Sequence, residues 1–367
     1  ADGSEPVAGD PVDADPADEQ QGEIEEPVVL TASDIGVTET AIRLGIVFPD
    51  TAVLGRDPGD LEAKFQVIAD EVNEAGGVHG RMLELFFQFP NPIDDTTSEA
   101  GCVDLVDDKQ VFAALGLFVR MTADCFAGLN DTPVISAFGI SRDQMDTYTA
   151  VGITINSHSE RLVADRVAAL IEGGVLTEGM AVAVVGGVQA ARGQENYVAA
   201  LEAAGIDVVA DTLIQGDGED LVDLTAEMQL LSEVWKTSGA EAVVASVGLV
   251  SQSLLIAYNN SNITLPIVLP EDTGVNPSLL QDSQGLDLTP FELATALIAG
   301  DSQANKYATG TDGVTECVDR FQDATGEDVA LDESRNNLGP TVVACQVFDI
   351  FLAIAEAAGP ELTLSLI

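Results

Sequence analysis

Short, β-branched apolar runs alternate with amphipathic helical patterns along most of this chain, and the alternation limits its possible folds more than any other feature. The runs are apolar on both faces, which is typical of parallel strands covered by helices on both sides. The predicted strands are residues 42–48, 81–89, 111–118, 132–138, 180–187, 207–214, 240–248 and 265–270. The predicted helices are residues 57–77, 96–109, 122–130, 158–172, 191–204, 220–237 and 250–259. The sequence therefore predicts an α/β protein with parallel sheets.

The first strand–helix–strand unit has clear signals at both helix ends. Residues 57–77 carry one apolar face at helical spacing, formed by Leu61, Phe65, Ile68, Val72 and Ala75. Asp57 can cap this helix and Pro58 fits its first position, while Gly76 or Gly77 can take the left-handed turn that ends it. The next strand, RMLELFFQF, follows at once, so the helix and the strand form one αβ turn.

The alternation pauses near residues 139–157 and 271–290, where we expect the chain to cross between two domains. The chain of 367 residues is long enough for two domains of ordinary size. Residues 1–39 are rich in acids, Pro and Gly, and are predicted to be a disordered tether whose first 30 residues are dispensable for stability. Such a tether suits an exported protein whose leader has been removed, and it suits an added expression segment equally well.

The chain is strongly acidic, with 62 Asp and Glu residues, 14 Lys and Arg residues and a formal net charge of −48. This balance argues against binding of nucleic acid or of an anionic membrane surface, since both attract basic patches. A saline environment and solubility through charge are both open explanations. The sequence contains no run of eighteen apolar residues, so no membrane-spanning segment is predicted.

The four cysteines are Cys102, Cys125, Cys317 and Cys345. No CxxC spacing occurs and the two histidines are isolated, so neither zinc nor another cofactor is predicted. Disulfides formed in an oxidising compartment are favoured over buried free thiols. Neighbouring helices on one face of a sheet can bring such positions within bridging distance, and we predict the pairs Cys102–Cys125 and Cys317–Cys345.

No catalytic motif is present: the sequence lacks a GxSxG elbow, a Walker P-loop and a histidine paired with a nucleophile. The stretch VVGGVQAARG follows a strand but lacks the GxGxxG spacing of dinucleotide-binding proteins. His79, in a turn, and His158, at a helix start, are interpreted as structural residues. The chain is therefore not expected to be an enzyme.

Ligands of open parallel sheets bind beyond the carboxyl ends of the strands, so the residues that follow each strand are the candidates. Arg120 can present a bidentate fork to a carboxylate, or it can pair with a local acid such as Asp124 or Asp143. Glu271 can receive a ligand ammonium, whereas the adjacent Asp272 can equally cap a helix. Aromatic residues end three strands of the first domain and can form either an apolar ligand wall or core: Phe48, Phe118 and Phe138.

Four stretches carry a resemblance to a known family: AIRLGIVFP, IADEVNEAGGVHGRMLELFFQF, CVDLVDDKQVFAALG and TPVISAFG. They resemble the type 1 periplasmic binding proteins, and within these the Leu/Ile/Val-binding solute receptors of ABC importers. The resemblance extends from about residue 35 to about residue 358. The stretch ASDIGVTETAIRLGIV is similar to actinobacterial members, which are usually lipoproteins.

The resemblance implies two doubly wound parallel-sheet lobes with a ligand cleft between them. Lobe one would comprise residues 40–155 and about 285–340, and lobe two residues 156–284 and about 341–367. Family members usually continue into a further helix and final strands, so lobe two is expected to be trimmed here.

The resemblance also implies a function. The expected protein is a monomeric, extracytoplasmic receptor that binds one small molecule by hinge closure, works with the membrane permease of an ABC importer, and is lipid-anchored on its precursor. A ligand-sensing extracellular domain of a membrane receptor is the alternative.

The resemblance bears on the ligand residues too. Amino-acid binders of the family place Ser and Thr after the third and fourth strands, where this chain has GLFVRMT and AFGIS, so Arg120 and Ser141 are the matching candidates. Gln189 stands near the position of a family aromatic, and Glu271 matches the acid that meets the ligand's ammonium. The ligand is expected to be an amino acid or a small compound with a carboxylate and an apolar body.

Overall fold

The computed structural model describes residues 30–54, 57–92, 94–118, 123–137, 139–155, 157–187, 191–215, 220–248, 251–270, 312–329 and 337–366. Two parallel sheets dominate the architecture, and all strand pairs within them run in the same direction. The prediction of an α/β fold with parallel sheets is confirmed.

The first sheet belongs to lobe one and has the strand order β2-β1-β3-β4-β5. Its strands are β1 (Ala41–Val47), β2 (Met82–Gln88), β3 (Ala113–Gly116), β4 (Val134–Ser136) and β5 (Gly152–Thr154). The helices that connect them are α1 (Leu61–Glu74), α2 (Asp95–Val103), which continues as a wider π-helical turn (Asp104–Asp108), a second π-helical segment (Asp124–Leu129) and α3 (Arg142–Thr147).

The second sheet belongs to lobe two and has the strand order β7-β6-β8-β9. Its strands are β6 (Ala181–Gly187), β7 (Asp207–Ile214), β8 (Ala242–Ser246) and β9 (Ile267–Val268). Its helices are α4 (Ser159–Glu172), α5 (Ala191–Ala203), α6 (Leu221–Ser238) and α7 (Ser251–Asn260). Two further helices follow later in the chain, α8 (Asp312–Thr325) and α9 (Leu338–Ala358).

Each sheet buries apolar side chains on both faces, as the two-sided strands predict. In β1, Leu44 and Ile46 pack with α1 on one face, whereas Val47 points to the other face, where α2 packs. In β6, Val185 lies in the core with α6 and α7, and Val184 lies in the core with α4 and α5. Each lobe is therefore doubly wound around its own sheet.

The C-terminal segment belongs to lobe one, so its assignment to lobe two from the sequence is wrong. Phe348 and Phe351 of α9 are buried in the same core as Leu44 and Phe65, and Leu362, beyond the helix, joins that core. The Ser33 hydroxyl also donates to the carbonyl of Leu362 at 2.6 Å. The helix is apolar almost all round, so its burial can be satisfied by either sheet and its sequence alone does not choose between them.

Among the described residues, α9 is also long and apolar enough, by length and composition, to cross a membrane. However, 61% of its most apolar 18-residue window is buried inside the protein, as in a core helix. Its hydrophobicity is therefore accounted for by packing in lobe one.

The αβ turn of the first unit forms as expected except at the start of the helix. The N-cap of α1 is Asp60, whose carboxylate accepts from the Ala63 amide at 2.9 Å, so the prediction of Asp57 as the cap is wrong. The carboxylate of Asp57 instead accepts from the Gly59 amide in the preceding turn. At the other end, Gly77 has φ +73°, and a β-carbon there would collide with the carbonyl of Arg81. Glycine is thus required where the helix turns into β2.

Arg81, in the same turn, joins both ends of lobe one. Its side chain is buried, and its guanidinium donates to three backbone carbonyls: Thr38 at 2.7 Å, Pro360 at 2.7 Å and Thr31 at 2.9 Å. Burial lowers the pKa of Arg81. The residue thus ties the segment before β1 to the segment after α9.

Both predicted disulfides are confirmed, and none of the four cysteines is free. Cys102 at the end of α2 is bonded to Cys125 in the second π-helical segment, with 6.4 Å between their α-carbons. Cys317 of α8 is bonded to Cys345 of α9, with 6.1 Å between their α-carbons. The second bond fastens the two late helices together within lobe one.

Candidate functional site

The strand order places one topological switch point in each sheet. Lobe one reverses direction between β1 and β3, and lobe two between β6 and β8. At such a point the connections leave in opposite directions, and a crevice opens beyond the carboxyl ends of the two strands. The candidate site is therefore formed by the residues that follow these four strands.

At the lobe-one switch point the backbones of β1 and β3 approach so closely that no side chain fits between them. Gly116 ends β3 with φ +136°, and a β-carbon there would collide with the carbonyl of Val47. The same carbonyl accepts from the Leu117 amide at 2.9 Å, and the Gly116 carbonyl accepts from the Ala137 amide at 2.7 Å. The carboxyl ends of β1, β3 and β4 therefore lie side by side at one edge of the sheet.

The lobe-two switch point is also lined by small residues. β6 ends in Gly186 and Gly187, and a β-carbon on Gly186 would collide with the side-chain amide of Gln194 on α5. A β-carbon on Gly193 would lie 3.2 Å from the hydroxyl of Ser246, which ends β8. The start of α5 thus rests directly on the ends of both strands, and its first-turn amides face the same edge.

Gln194 is the polar group buried beneath this helix start. It is 4% exposed, and its amide nitrogen donates to the carboxylate of Asp211 on β7. Its amide oxygen has no hydrogen-bond partner within the described part of the chain. The sequence gives no signal for this residue, because a glutamine inside a helix carries no distinctive pattern.

Two of the aromatic candidates, Phe48 and Phe118, are buried in the core of lobe one, which is one of the two arrangements expected for them. Phe48 is 3% exposed and packs against Phe65 of α1, with 6.3 Å between ring centroids. Phe118 is 5% exposed and meets Phe126 edge to face at 5.7 Å. Both rings pack between the sheet and its helices, where each buries more apolar surface than it would if it pointed out from the edge of the sheet.

Ser141 is used in the structure as a helix cap. It is buried, its hydroxyl accepts from the Gln144 amide at 3.2 Å, and the Gln144 side chain accepts from the Ser141 amide at 3.1 Å. This capping box starts α3. The other predicted ligand residues lie outside the described residues: Arg120, Phe138, Gln189 and Glu271.

A polar cluster that the sequence did not indicate lies near the ends of β3 and β4. One carboxylate oxygen of Asp124 accepts from the side chains of Gln144 and Tyr148, each at 2.8 Å. Burial, and then the hydrogen bond to Asp124, raise the pKa of Tyr148, whereas the positive charge of Arg192 on α5 acts in the opposite direction. The cluster joins residues up to 24 positions apart, so no local sequence motif predicts it.

A second cluster lies at the first crossing from lobe one to lobe two. The guanidinium of Arg142 approaches Nε2 of His158 through Nε at 3.1 Å and through Nη2 at 2.9 Å. Nδ1 of His158 lies 3.1 Å from the Glu160 carboxylate and 3.1 Å from the Arg161 amide. His158 is the N-cap residue of α4, in agreement with the structural role predicted for it.

The other histidine, His79, lies in the turn before β2 with φ +49°, and its Nε2 is 3.4 Å from the carboxylate of Glu356 on α9. Within the described residues, no group of three or more His, Cys, Asp or Glu side chains is arranged to hold a metal ion.

The sequence matches no protein-family model and no curated protein sequence. Solved structures do resemble the fold. A solute-binding protein of an ABC transporter from Rhodopseudomonas palustris HaA2, in complex with p-hydroxybenzoic acid, is 15% identical with a TM-score of 0.61, covering 89% of this chain and 83% of that one.

A fatty acid ABC transporter substrate-binding protein from Thermomonospora curvata is 17% identical with a TM-score of 0.57, covering 89% of this chain and 79% of that one. The branched-chain amino acid transporter substrate binding protein LivJ from Streptococcus pneumoniae, in complex with isoleucine, is 16% identical with a TM-score of 0.52, covering 87% and 84%. At these identities the likeness establishes architecture. The chain has the type 1 periplasmic-binding-protein fold, the two-lobed α/β architecture of ABC-transporter substrate-binding proteins.

Proposed function

We propose that this protein is an extracytoplasmic solute-binding protein that captures a small molecule between its lobes and presents it to the membrane permease of an ABC importer. The observation that carries the proposal is the pair of switch points, each of which ends in a close-packed strand edge. Hinge closure of two such lobes is the standard way in which this architecture encloses a ligand. The work is binding without turnover.

The ligand class that we favour is a small carboxylate-bearing compound, either an amino acid or a compound with a largely apolar body. The structural neighbours named above are in complex with p-hydroxybenzoic acid, in complex with isoleucine, or named for fatty acid, and each of these compounds has a carboxyl group. Arg120 supplies a bidentate donor for such a group, and Glu271 supplies an acceptor for an ammonium where the ligand has one. Because Phe48 and Phe118 are buried, we propose that other residues contact the apolar body of the ligand.

Mass spectrometry of compounds released by denaturing the purified protein tests the proposal without a prior choice of ligand. We expect one dominant small molecule, recovered chemically unchanged. A thermal-shift panel of matched pairs then tests the carboxylate: 4-hydroxybenzoate against 4-hydroxybenzamide, leucine against leucinamide, and a fatty acid against its alcohol. Only the acid of a pair should raise the melting temperature, and equal shifts for acid and neutral analogue would rule out carboxylate recognition.

The role of Arg120 is tested by Arg120→Ala with calorimetric titration of the compound found in this way. We expect affinity to fall at least about thirtyfold, or about 2 kcal/mol, because the ligand charge loses a desolvated partner. Arg161→Ala is the matched control, since Arg161 is an exposed cation whose side chain pairs with Asp165 at 3.7 Å. Near-wild-type affinity of Arg120→Ala would remove Arg120 from the site.

We further propose that the protein acts as a monomer and that its acidic N-terminal tether joins the lobes to a lipid anchor on the precursor. The composition of residues 1–29 supports an extended spacer. Within the predicted tether, the Thr31 carbonyl accepts from Arg81, which directly precedes β2 and hence lies at the edge of the sheet away from the candidate cleft. A tether attached there leaves the cleft open to ligand.

A further inference from the structure

We infer that Arg142, His158 and Glu160 form a clasp across the first crossing, and that this clasp sets the balance between the open and closed arrangements of the two lobes. The inference rests on the proposed function in one respect: it takes hinge closure to be the motion that accompanies binding. The three residues are called the hinge clasp below.

The hinge clasp is a closed ring of hydrogen bonds. Arg142 donates twice from its guanidinium to Nε2 of His158, at 3.1 and 2.9 Å. The Glu160 carboxylate completes the ring with one oxygen 3.1 Å from Nδ1 of His158 and the other accepting from the Arg142 amide at 3.0 Å. Because a guanidinium can only donate, Nε2 is the acceptor, and the imidazole proton is therefore on Nδ1, which donates to the Glu160 carboxylate and does not accept from the Arg161 amide.

The backbone beside the clasp joins the same two segments. The Ser159 hydroxyl donates to the Gly139 carbonyl at 2.8 Å, and the Ser159 amide donates to the Ile140 carbonyl at 3.3 Å. A β-carbon on Gly139 would lie 3.1 Å from the carbonyl of Ser157, tighter than ordinary contact. The loop after β4 and the first turn of α4 are therefore hydrogen-bonded directly to each other.

These two segments belong to different lobes. Ile140 and Met145, on either side of Arg142, pack in the lobe-one core with Phe126. Val163, three residues after Glu160, packs in the lobe-two core with Val184 of β6. Because the two segments are anchored in different lobes, we expect a rotation about this crossing to strain the bonds between Arg142 and His158.

The clasp is suited to a switch because its bonds are short-ranged and it is only partly covered. Hydrogen bonds of this kind weaken steeply once donor and acceptor separate beyond about 3.5 Å, so a shift of about 1 Å breaks them. The side chains of His158 and Glu160 are 22% and 34% exposed, so water can replace the lost partners. We expect the clasp to favour the arrangement in which it forms by about fivefold, the size expected for a partly exposed hydrogen bond.

Two substitutions break the clasp from opposite sides. Arg142→Met removes both guanidinium donors. His158→Asn removes Nε2 but leaves a side-chain oxygen in the N-cap position, where asparagine is a preferred residue, so the start of α4 is preserved. Arg161→Met is the control, because it removes a cation from the same turn of α4 whose side chain contacts Asp165 on that helix.

The measurement is the distance distribution between two spin labels in the ligand-free protein, with one on Glu74→Cys of α1 and the other on Glu202→Cys of α5. All four native cysteines are disulfide-bonded, so only the introduced thiols take the label. Arg142→Met and His158→Asn should each change the ratio of the short and long distance populations by about fivefold, in the same direction. Their combination should change it no further, since both act through one contact.

Arg161→Met should leave the distribution unchanged, and melting temperatures should stay within about 2 °C of the parent. An unchanged distribution in Arg142→Met and His158→Asn overturns the inference, as does a loss of melting temperature without a change in distances, which would make the clasp a purely structural contact. The assay needs no ligand. Failure to find a transported compound would therefore count against the proposed function and leave this result intact.

Discussion

Replacement of Arg81 tests whether a buried cation bound only by backbone carbonyls holds lobe one together. Arg81 is 1% exposed, and the described residues place three carbonyls and no carboxylate around its guanidinium. We consider Arg81→Met, which keeps most of the side-chain volume and removes every donor. The carbonyls that it leaves behind belong to the segment before β1 and the segment after α9.

The expected cost follows from two opposing effects. A hydrogen bond to a charged group contributes about 1.5–3 kcal/mol, so the loss of three such bonds costs roughly 4–9 kcal/mol. Removal of the cation also ends its desolvation, which costs several kcal/mol for a buried ion and is seen in the lowered pKa of Arg81. We therefore expect a net loss of about 3–5 kcal/mol, or roughly 8–15 °C in melting temperature.

Urea unfolding followed by circular dichroism measures this loss. The single tryptophan, Trp235, is buried in the lobe-two core, so its fluorescence reports on that lobe separately. The circular dichroism transition should move to lower urea, with a smaller shift in the Trp235 signal. Arg81→Lys should fall between the parent and Arg81→Met, because one ammonium does not span three carbonyls, and exposed Arg161→Met should change stability by about 1 kcal/mol or less. A loss below about 1 kcal/mol in Arg81→Met would refute the reasoning.

Three further outcomes are expected. The melting temperature should rise between 0.1 and 2 M NaCl, because the Debye length falls from about 10 Å towards about 2–3 Å and screens a net charge of −48, and a flat profile would contradict this. Burial lowers the pKa of Lys64 and raises that of Tyr258. The free energy of unfolding should therefore rise with pH up to about 10, because in this range the unfolded chain keeps a proton on Lys64 that the folded protein has already lost. It should then fall above pH about 10, where the unfolded chain loses the Tyr258 proton first, and Tyr258→Phe should weaken that fall. Deletion of residues 1–30 should leave the melting temperature within error, and a drop of several degrees would show that they pack on lobe one.

The regular part of the fold was predictable because its signals are long. The helix α1 repeats its apolar face over four turns, and strands such as β6 are apolar on both sides for seven residues. The strand β5 (Gly152–Thr154) and helix α3 (Arg142–Thr147) were missed, since three and six residues are too few to establish a period. The pause in the pattern over this segment predicts a crossing between domains, and the chain does pass from lobe one to lobe two directly after β5.

The sequence predicts a position for the candidate site and little more. The rule about carboxyl ends of strands names the edge of each sheet where ligand residues are expected, but it does not say which way an individual side chain turns. Phe48 and Phe118 lie just after strands and point into the core, where Phe48 packs against Phe65 and Phe118 packs against Phe126. The hinge clasp and the Asp124 cluster join residues 16 to 24 positions apart, and such contacts depend on tertiary packing that no local pattern encodes.

Gly116 and Gly186 bring their strands into close contact with a neighbouring backbone or helix, so the strand ends of this chain offer few side chains for ligand recognition. We therefore expect specificity to depend on the residues that follow the strands, where substitutions do not disturb the sheet. By the same reasoning, a change at Arg120 should alter ligand affinity without changing stability, whereas a change at Gly116 should destabilise lobe one before it alters ligand choice.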